Sequence, residues 1–411
     1  MAFLPLLGLL LVLVPTLLAY SGFRGRASVV GIDLGTTFSV VAVRASQGGI
    51  GAVEVIRDPA TGSPIVPSAV YYPPSPSLPP RVGAAARQLI RSEPRAVIYN
   101  AKRFIGKPAE DATVAPQAAK QAFPVVPAPP GVAFELPNGT RVSPERVGAD
   151  VVKHLLSLAA LHLGHDRISA AVIAVPAKFN RAQREATADA FRSAGLRVAR
   201  VLEEPTAAAL AYGLDKRADV SHVLVYDFGG GTLDVAVLHV SEGYVEVIGS
   251  EGDEQLGGGD FDVGVGRFLE EKYEGDVGGR GECGGEEVLY CTRADLVGVG
   301  ERMKIALSEG AEVARERCVR EDCGEVEMEL ARGEFEEAVG PLLDRAAAPI
   351  GAVLEQLGLR AADIDEVVMV GGTSRMPQVR ERVREAAEKE RLNTSIDPDV
   401  TVAYGCASVI D

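Results

Sequence analysis

Tryptophan is absent from the 411-residue chain, and aromatic residues make up only 5% of it. Stacking platforms for bases or sugars are therefore sparse. Histidine and cysteine are scarce as well, at five each. No C-x-x-C occurs and no spacing suits zinc ligands, which excludes a zinc-held or disulfide-framework architecture. Among Cys283, Cys291, Cys318, Cys323 and Cys406, Cys318 and Cys323 can pair or can act as small apolar fillers, and filler is the favoured reading. Positive charge is in deficit, with 42 Lys and Arg against 57 Asp and Glu and a net charge of −15. That sign excludes a general nucleic-acid coat and leaves a local anion site open. What is present is 47% hydrophobic and 24% charged residues, the profile of a packed globular protein rather than of disorder, collagen or a coiled coil. The length suggests two or three compact units.

A single long apolar run occurs, at residues 3–20 (FLPLLGLLLVLVPTLLAY), with Arg24 and Arg26 after it. It reads as a secretory signal or an uncleaved signal-anchor occupying residues 1–26. No Lys or Arg precedes it, and the positive charges that follow argue weakly against translocation of the rest. A buried N-terminal helix is the weaker alternative, because the run has no polar face. The sequons Asn138-Gly139-Thr140 and Asn393-Thr394-Ser395 add little, since such triplets are common by chance.

Glycine turns organise the rest. Residues 28–44 (SVVGIDLGTTFSVVAVR) place a β-branched run ending at Asp33, a Gly-Thr-Thr turn and a second β-branched run in series. Residues 221–240 (SHVLVYDFGGGTLDVAVLHV) repeat the pattern around Asp227, roughly half a chain further on. Each reads as a hairpin with an acid at its mouth, and the repeat predicts two homologous lobes. Between and after them the pattern alternates. Helices are expected at 145–164, 180–195 (starting at Asn180), from 205 and from 377. Strands are expected at 169–176, 197–202 and 366–370. Loops are expected at the Pro-rich 72–80, the Pro/Ala-rich 108–131 and the Gly/Glu-rich 275–287.

The repeated turns suit a nucleoside triphosphate. Glycines let backbone N–H groups approach phosphate oxygens. Gly35, Thr36 and Thr37 offer one such set, and Gly229, Gly230, Gly231 and Thr232 a second. Asp33 and Asp227 suit Mg²⁺ held through water. Gly371 and Gly372, lying between a strand and a helix, add a third glycine turn that can face an anion or a flat ligand.

With these residues in place, the chain resembles the ATPase domain of the heat-shock protein 70 chaperones. The resemblance rests on GIDLGTTFSVVAV (31–43), YNAKRFIGK (99–107), VIAVPAKFNRAQREAT (172–187), RVLEEPTAAALAYGLDK (200–216), VYDFGGGTLDVAVL (225–238), LGGGDFD (256–262), VVMVGGTSRMPQVR (367–380) and DPDVTVAYGCA (397–407). With its leader, the chain is most similar to the short microsomal type within that family. The resemblance implies an α/β, actin-like ATPase fold of two ribonuclease-H-like lobes around a nucleotide cleft. Lobe I is expected at 27–216 and lobe II at 217–395, with 396–411 returning to lobe I. ATP or ADP with Mg²⁺ is the implied cofactor set.

Roles follow residue by residue from the same resemblance. Asp33 and Asp227 match the Mg²⁺-associated acids. Thr36, Thr37 and Thr232 match phosphate-contacting threonines, and Lys102 matches the lysine on the γ-phosphate. Glu204 matches the acid near the attacking water. Gly257 and Gly258 match the turn near the ribose, and Glu301, Lys304 and Ser308 match the helix that contacts ribose and adenine. Gly371, Gly372, Thr373 and Arg375 match the adenosine motif, and Asp399 an acid beside it. Three positions depart from the pattern. Ile305 stands where the family places an arginine that stacks on adenine, Phe38 replaces a tyrosine, and Glu203 replaces an asparagine, so that two carboxylates adjoin.

No interdomain linker, peptide-binding β-sandwich or helical lid follows in these 411 residues. The expectation is a stand-alone, slow, constitutive ATPase or a truncated one. A nucleotide-gated regulator or exchange partner of full-length chaperones is the alternative. The expected partners are co-chaperones or full-length chaperones. A monomer is expected, with no nucleic acid and with membrane contact through the leader alone. The implied location is the endoplasmic reticulum lumen or the microsomal membrane.

Overall fold

A computed structural model describes residues 28–44, 53–75, 77–274, 291–319 and 324–410. The leader expected at 1–26, the Gly/Glu-rich 275–287 stretch, Cys283 and Cys323 lie outside the described residues. Among the described residues, no helix is long and apolar enough to cross a membrane. The chain divides into two units. The first comprises Met1–Val175, Phe179–Leu202 and Ala403–Asp411, and the second Pro176–Lys178 and Glu203–Val402. Residues 203–216, read with the first lobe in the sequence, pack with the second unit.

In the first unit, β1 (Val29–Leu34) and β2 (Phe38–Arg44) form the first glycine-turn hairpin. Helix α1 (Pro144–Leu163) starts where Ser143 Oγ accepts the Arg146 amide, and it stops at Gly164 in the left-handed conformation. Both ends follow from the sequence: a serine cap before Pro144, and a glycine that tolerates positive φ. Its apolar face buries Val147, Val151, Val152, Leu155 and Leu158. Strand β3 (Ala170–Val175) is buried throughout and runs parallel to β1. Helix α2 (Arg181–Ser193) begins with a capping box in which Asn180 and Gln183 exchange hydrogen bonds at 3.0 and 3.1 Å. Strand β4 (Arg197–Glu203) closes one edge, and the sheet order is β4-β3-β1-β2 followed by Val53–Val55, with Val66–Pro67 also paired to β2. Phe104, Phe123 and Phe134 meet edge-to-face inside this unit.

The helix Thr401–Ser408 returns to β1. A Cβ on Gly31 would lie 2.4 Å from the Ala407 amide nitrogen and 2.9 Å from the Ala403 carbonyl oxygen. Gly31→Ala therefore forces backbone apart in a close-packed interior. A loss of about 1–3 kcal/mol is expected, read as a lower urea midpoint at unchanged m-value.

The second unit repeats the plan. After helix α3 (Glu204–Ala211), strands β5 (His222–Phe228) and β6 (Leu233–Ser241) form the second glycine-turn hairpin, and β7 (Tyr244–Asp253) continues it. Helix α4 (Gly258–Lys272) and helix α5 (Arg293–Ser308) pack together beside the ribbon of β8 (Val313–Val319) and β9 (Glu325–Ala331). Helix α6 (Arg332–Leu357) covers the sheet, and β10 (Glu366–Val370) then runs parallel to β5 before helix α7 (Pro377–Ala387). The sheet order is β10-β5-β6-β7. A parallel strand, the two hairpin strands and an antiparallel third therefore occur in the same order in both units, as the sequence repeat predicts. One core joins the inner faces of β5 and β6 to Phe261, Val265, Leu296, Met328, Phe335 and Ile350. Tyr226 is buried there with its hydroxyl on the Ala346 carbonyl at 2.9 Å, and burial pushes its pKa far up.

Two readings need correction. The stretch 108–131 is not simply a loop, since it holds the short helix Val114–Ala118 and the strand Val125–Ala128, which pairs with Gly131–Glu135. Its proline content hides both elements. Cys318 is not a lone filler but is disulfide-bonded to Cys291, 27 residues away. Residue spacing could not show that β8 returns beside the start of α5, where the Cys291 amide donates to the Val319 carbonyl. Of the two sequons, Asn138 is exposed, whereas Asn393 donates its side-chain amide to Glu366 at 2.8 Å and bridges β10 through its backbone. That engagement leaves Asn393 structurally occupied.

Candidate nucleotide-binding site

In the first unit, Asp33 lies near the end of β1 opposite Val40 of β2, and Gly35, Thr36 and Thr37 make the turn between the strands. The turn needs glycine, since a Cβ on Gly35 would lie 2.1 Å from the Phe38 carbonyl oxygen. Ser68, which the sequence reading did not single out, pins it. Its hydroxyl donates to the Gly35 carbonyl at 2.8 Å, and its amide donates to the Thr37 carbonyl at 2.8 Å. Phe38 follows the turn with the Arg87 guanidinium 5.6 Å above its ring. Lys102 sits on the short 3-10 helix Ala101–Arg103, its ammonium 6.0 Å from the Phe179 ring.

In the second unit, Asp227 is the direct cross-strand partner of Asp234. The Gly229 amide donates to the Thr232 carbonyl at 3.0 Å and closes the Gly229–Thr232 turn. Like charges directly opposite one another in a sheet are destabilising, so this register is a feature that folding alone does not favour. A pocket in this unit is lined by Asp227, Asp234, Glu204, Lys178 and Ser250, with Pro176 and Pro205 beside them. Glu204 opens α3, where the helix N-terminus favours an acid, and Glu203 is the residue before it. The carboxylates of Asp227, Asp234 and Glu204, beside the Lys178 ammonium, offer the oxygen donors that suit a hard cation such as Mg²⁺. No three His, Cys, Asp or Glu among the described residues are grouped to bind one ion directly.

Two glycine segments of this unit, 257–259 and 371–372, pack against the turn. Gly257 lies so close that a Cβ would be 2.2 Å from the Gly231 nitrogen. The amides of Gly258 and Gly259 donate to the carbonyls of Gly229 and Gly230 at 3.1 and 2.9 Å. Gly371 adopts φ 78°, and its Cβ would fall 2.5 Å from the Phe228 carbonyl oxygen. Thr373 donates its hydroxyl to the Gly229 carbonyl at 2.9 Å. Gly372 lies against Asp399, whose Oδ1 would be 2.7 Å from an added Cβ. Side chains at Gly257 and Gly371 would push these closely packed backbone segments apart.

Helix α5 adds its face to this cluster. The Lys304 ammonium is 2.6 Å from Asp262 and 3.1 Å from the Gly258 carbonyl, with both ionic side chains largely buried. Ser308 turns its hydroxyl back onto the Lys304 carbonyl at 2.8 Å, so its polar group serves the helix in this conformation. Glu301 lies on the same helix and is partly buried. Ile305 is 45% exposed, an apolar side chain open to solvent directly after Lys304. Arg375 donates to Asp399 at 3.0 Å and also pairs with Asp397. Burial works against the charge on Arg375, but the two carboxylates more than offset it and raise its pKa. Burial also pushes Asp399 up, against the lowering pull of Arg375.

The structure thus gathers Asp227, the Gly229–Thr232 turn, Gly257, Gly258, Lys304, Gly371, Gly372, Thr373, Arg375 and Asp399 within the second unit. It places Asp33, Gly35, Thr36, Thr37, Phe38 and Lys102 in the first. Asp234, Asp262 and Asp397 were not singled out from sequence. Asp234 was recoverable, because a hairpin closed between Gly229 and Thr232 must set residues two positions outward on either side face to face. Asp262 and Asp397 depend on contacts between separate elements and left no such signal.

This architecture, with two glycine-turn hairpins in repeated sheets, is that of the actin-like ATPase fold. The profile of the Hsp70 protein family matches residues 29–410, and the chain belongs to that family. Among curated relatives, the chaperone protein DnaK of Thermus thermophilus is 40% identical over 388 residues, covering 93% of this chain and 60% of that protein. The chaperone protein DnaK of Deinococcus radiodurans is 39% identical over 393 residues, covering 93% of this chain and 59% of that protein. The chain spans about 60% of the length of these relatives.

Proposed function

We propose that the chain binds ATP or ADP with Mg²⁺ and hydrolyses ATP slowly, as the nucleotide-binding part of a chaperone. The observation that carries this reading is Asp227 facing Asp234 beside Glu204 and a glycine turn, in a chain of the Hsp70 family. Phosphoryl transfer asks the protein mainly to position groups and neutralise charge. Mg²⁺, when bound, supplies charge neutralisation at the phosphate oxygens. Asp33, Asp227 and Asp234 would hold its water shell, and Glu204 would orient the attacking water. Thr36, Thr37 and Thr232 would donate to phosphate oxygens while Lys102 offsets their charge. Lys304, Arg375 and the Gly371–Gly372 turn would bind the nucleoside.

Single-turnover conversion of radiolabelled ATP by the whole chain tests this. Bound ATP should appear as ADP and phosphate with Mg²⁺ and persist with EDTA. If ATP binds and stays intact, the second reading holds, a nucleotide-gated regulator or exchange partner of full-length chaperones. If no nucleotide binds, both readings fail. The exposed Ile305 favours weakened nucleotide binding under either one. Restoring a cation–π contact with Ile305→Arg should tighten ADP binding by about 0.5–2 kcal/mol, measured by calorimetry.

Co-chaperones or full-length chaperones are the proposed partners of a monomer. The likeness to the short microsomal type, and a place in the endoplasmic reticulum lumen or on its membrane, rest on the apolar run at 3–20. The Cys291–Cys318 disulfide agrees, because oxidising compartments preserve such bonds. Protease protection of the chain in intact microsomes, lost on adding detergent, checks this location.

A further inference from the structure

Two of the chain's five histidines face each other in the second unit, away from every residue used above. His222 of β5 is the direct cross-strand partner of His239 of β6. The adjoining pair is joined by a hydrogen bond from the Val240 amide to the Ser221 carbonyl at 2.8 Å. His222 and His239 therefore occupy a non-hydrogen-bonded position, where antiparallel side chains come closest. Consistent with this, the His222 backbone turns to the other side, donating to Asp365 Oδ2 and accepting the Asp365 amide, both at 2.9 Å. The two ring centres are 5.4 Å apart, with planes tilted by 47°. His239 is exposed and His222 partly so. Glu246 of β7 is the cross-strand partner of His239, so two imidazoles and a carboxylate share one row across three strands. Asp363 interacts electrostatically with His222, which adds to an acidic setting.

We propose that His222 and His239 form a chelating site for a divalent transition-metal ion of the zinc, copper or nickel class. Two imidazole nitrogens at about 2.0–2.1 Å from one tetrahedral ion place their ring centres about 5 Å apart, close to the separation already present. Water completes the coordination sphere, and Glu246 lies in the same row. Imidazole donors select these borderline ions over Mg²⁺, which takes oxygen. The site is therefore chemically distinct from the carboxylates around Asp227, which lies toward the other end of β5 and, five residues on in a strand of period two, on its opposite face.

Calorimetric titration of the whole, nucleotide-free chain with zinc chloride, and separately with nickel chloride, tests the site. A single saturable equivalent is expected. His239→Ala and His222→Ala should each weaken it by about tenfold or more, since each removes one of two nitrogen ligands. His165→Ala should leave it unchanged, because that ring is engaged elsewhere, accepting the Arg167 amide. His239→Ala changes an exposed residue and keeps the fold, so it decides the matter even where His222→Ala disturbs packing. In the NMR spectrum of the intact chain, paramagnetic nickel should broaden the ring signals of His222 and His239 before those of the other histidines. Binding that survives His239→Ala, a site lost with His165→Ala, or no saturable binding of zinc or nickel overturns the proposal.

Discussion

Asp227→Asn lowers ATP turnover by about 10²–10³-fold, the usual range for removing one preorganised electrostatic group from a reacting site, and does not lower the stability of the fold. Both halves of this expectation come from the same register. Asp227 and Asp234 are direct partners across the hairpin, so two like charges oppose each other at a position where the sheet alone would favour neutral or oppositely charged residues. Replacing one carboxylate by its amide relieves that repulsion and keeps the volume. The same change removes half of a paired oxygen-donor set that suits a hydrated cation. Single-turnover hydrolysis and urea denaturation, run on the same preparation, separate the two effects. Turnover unchanged by the substitution sinks the assignment, and parallel loss of turnover and stability would make Asp227 a structural residue. Asp234→Asn gives the same signs if the pair acts together. Lys102→Ala, on a partly exposed residue of the first unit, should also slow conversion of bound ATP without moving the urea midpoint.

The second large effect concerns the bond between Cys291 and Cys318. It closes a loop of 27 residues, which in the chain-entropy account corresponds to about 3–4 kcal/mol of stability. Both cysteines are buried, Cys291 just ahead of the Thr292 cap of α5 and Cys318 within β8. The bond therefore ties the start of the Lys304 helix to the neighbouring ribbon. The double variant Cys291→Ala/Cys318→Ala should lose about this amount in denaturant unfolding. Adding dithiothreitol to the natural chain should produce a comparable loss and have no effect on the double variant. A natural chain indifferent to reductant would show that packing, not the covalent link, holds these residues. Nucleotide affinity should change less than stability, because Lys304, which meets Asp262 across α5 and α4, lies toward the opposite end of α5 from the bond.

Much of this was legible in the sequence, for physical reasons that can be named. The hairpins around Asp33 and Asp227 were readable because β-branched runs flank glycine turns, and turn chemistry is local. The start of α2 was readable because Asn180 and Gln183 form a reciprocal cap within four residues. Strand β10 was readable because five apolar-rich residues run directly into Gly371-Gly372. What was hidden depends on chain returning from elsewhere. The strand Val125–Ala128 carries Pro127 and reads as loop until its partner Gly131–Glu135 is known. The Cys291–Cys318 bond, the Lys304–Asp262 pair and the hold of Asp397 on Arg375 join elements whose proximity no local pattern encodes. Ser68, which fixes the first glycine turn, lies in a separate strand region and carries no motif of its own.

The packing of the Thr401–Ser408 helix on Gly31 also sets an order of events during synthesis. Strand β1 is among the earliest described segments to leave the ribosome, yet the backbone that lies against it is made only after the entire second unit. The first unit must wait, with part of the β1 surface uncovered, while the second, drawn almost wholly from residues 203–402, has nearly all of its own chain in hand. Contacts of such long sequence separation are slow to form. The nascent chain is thus expected to mature out of sequence order, its later-made unit closing first and the Thr401–Ser408 helix sealing the earlier one.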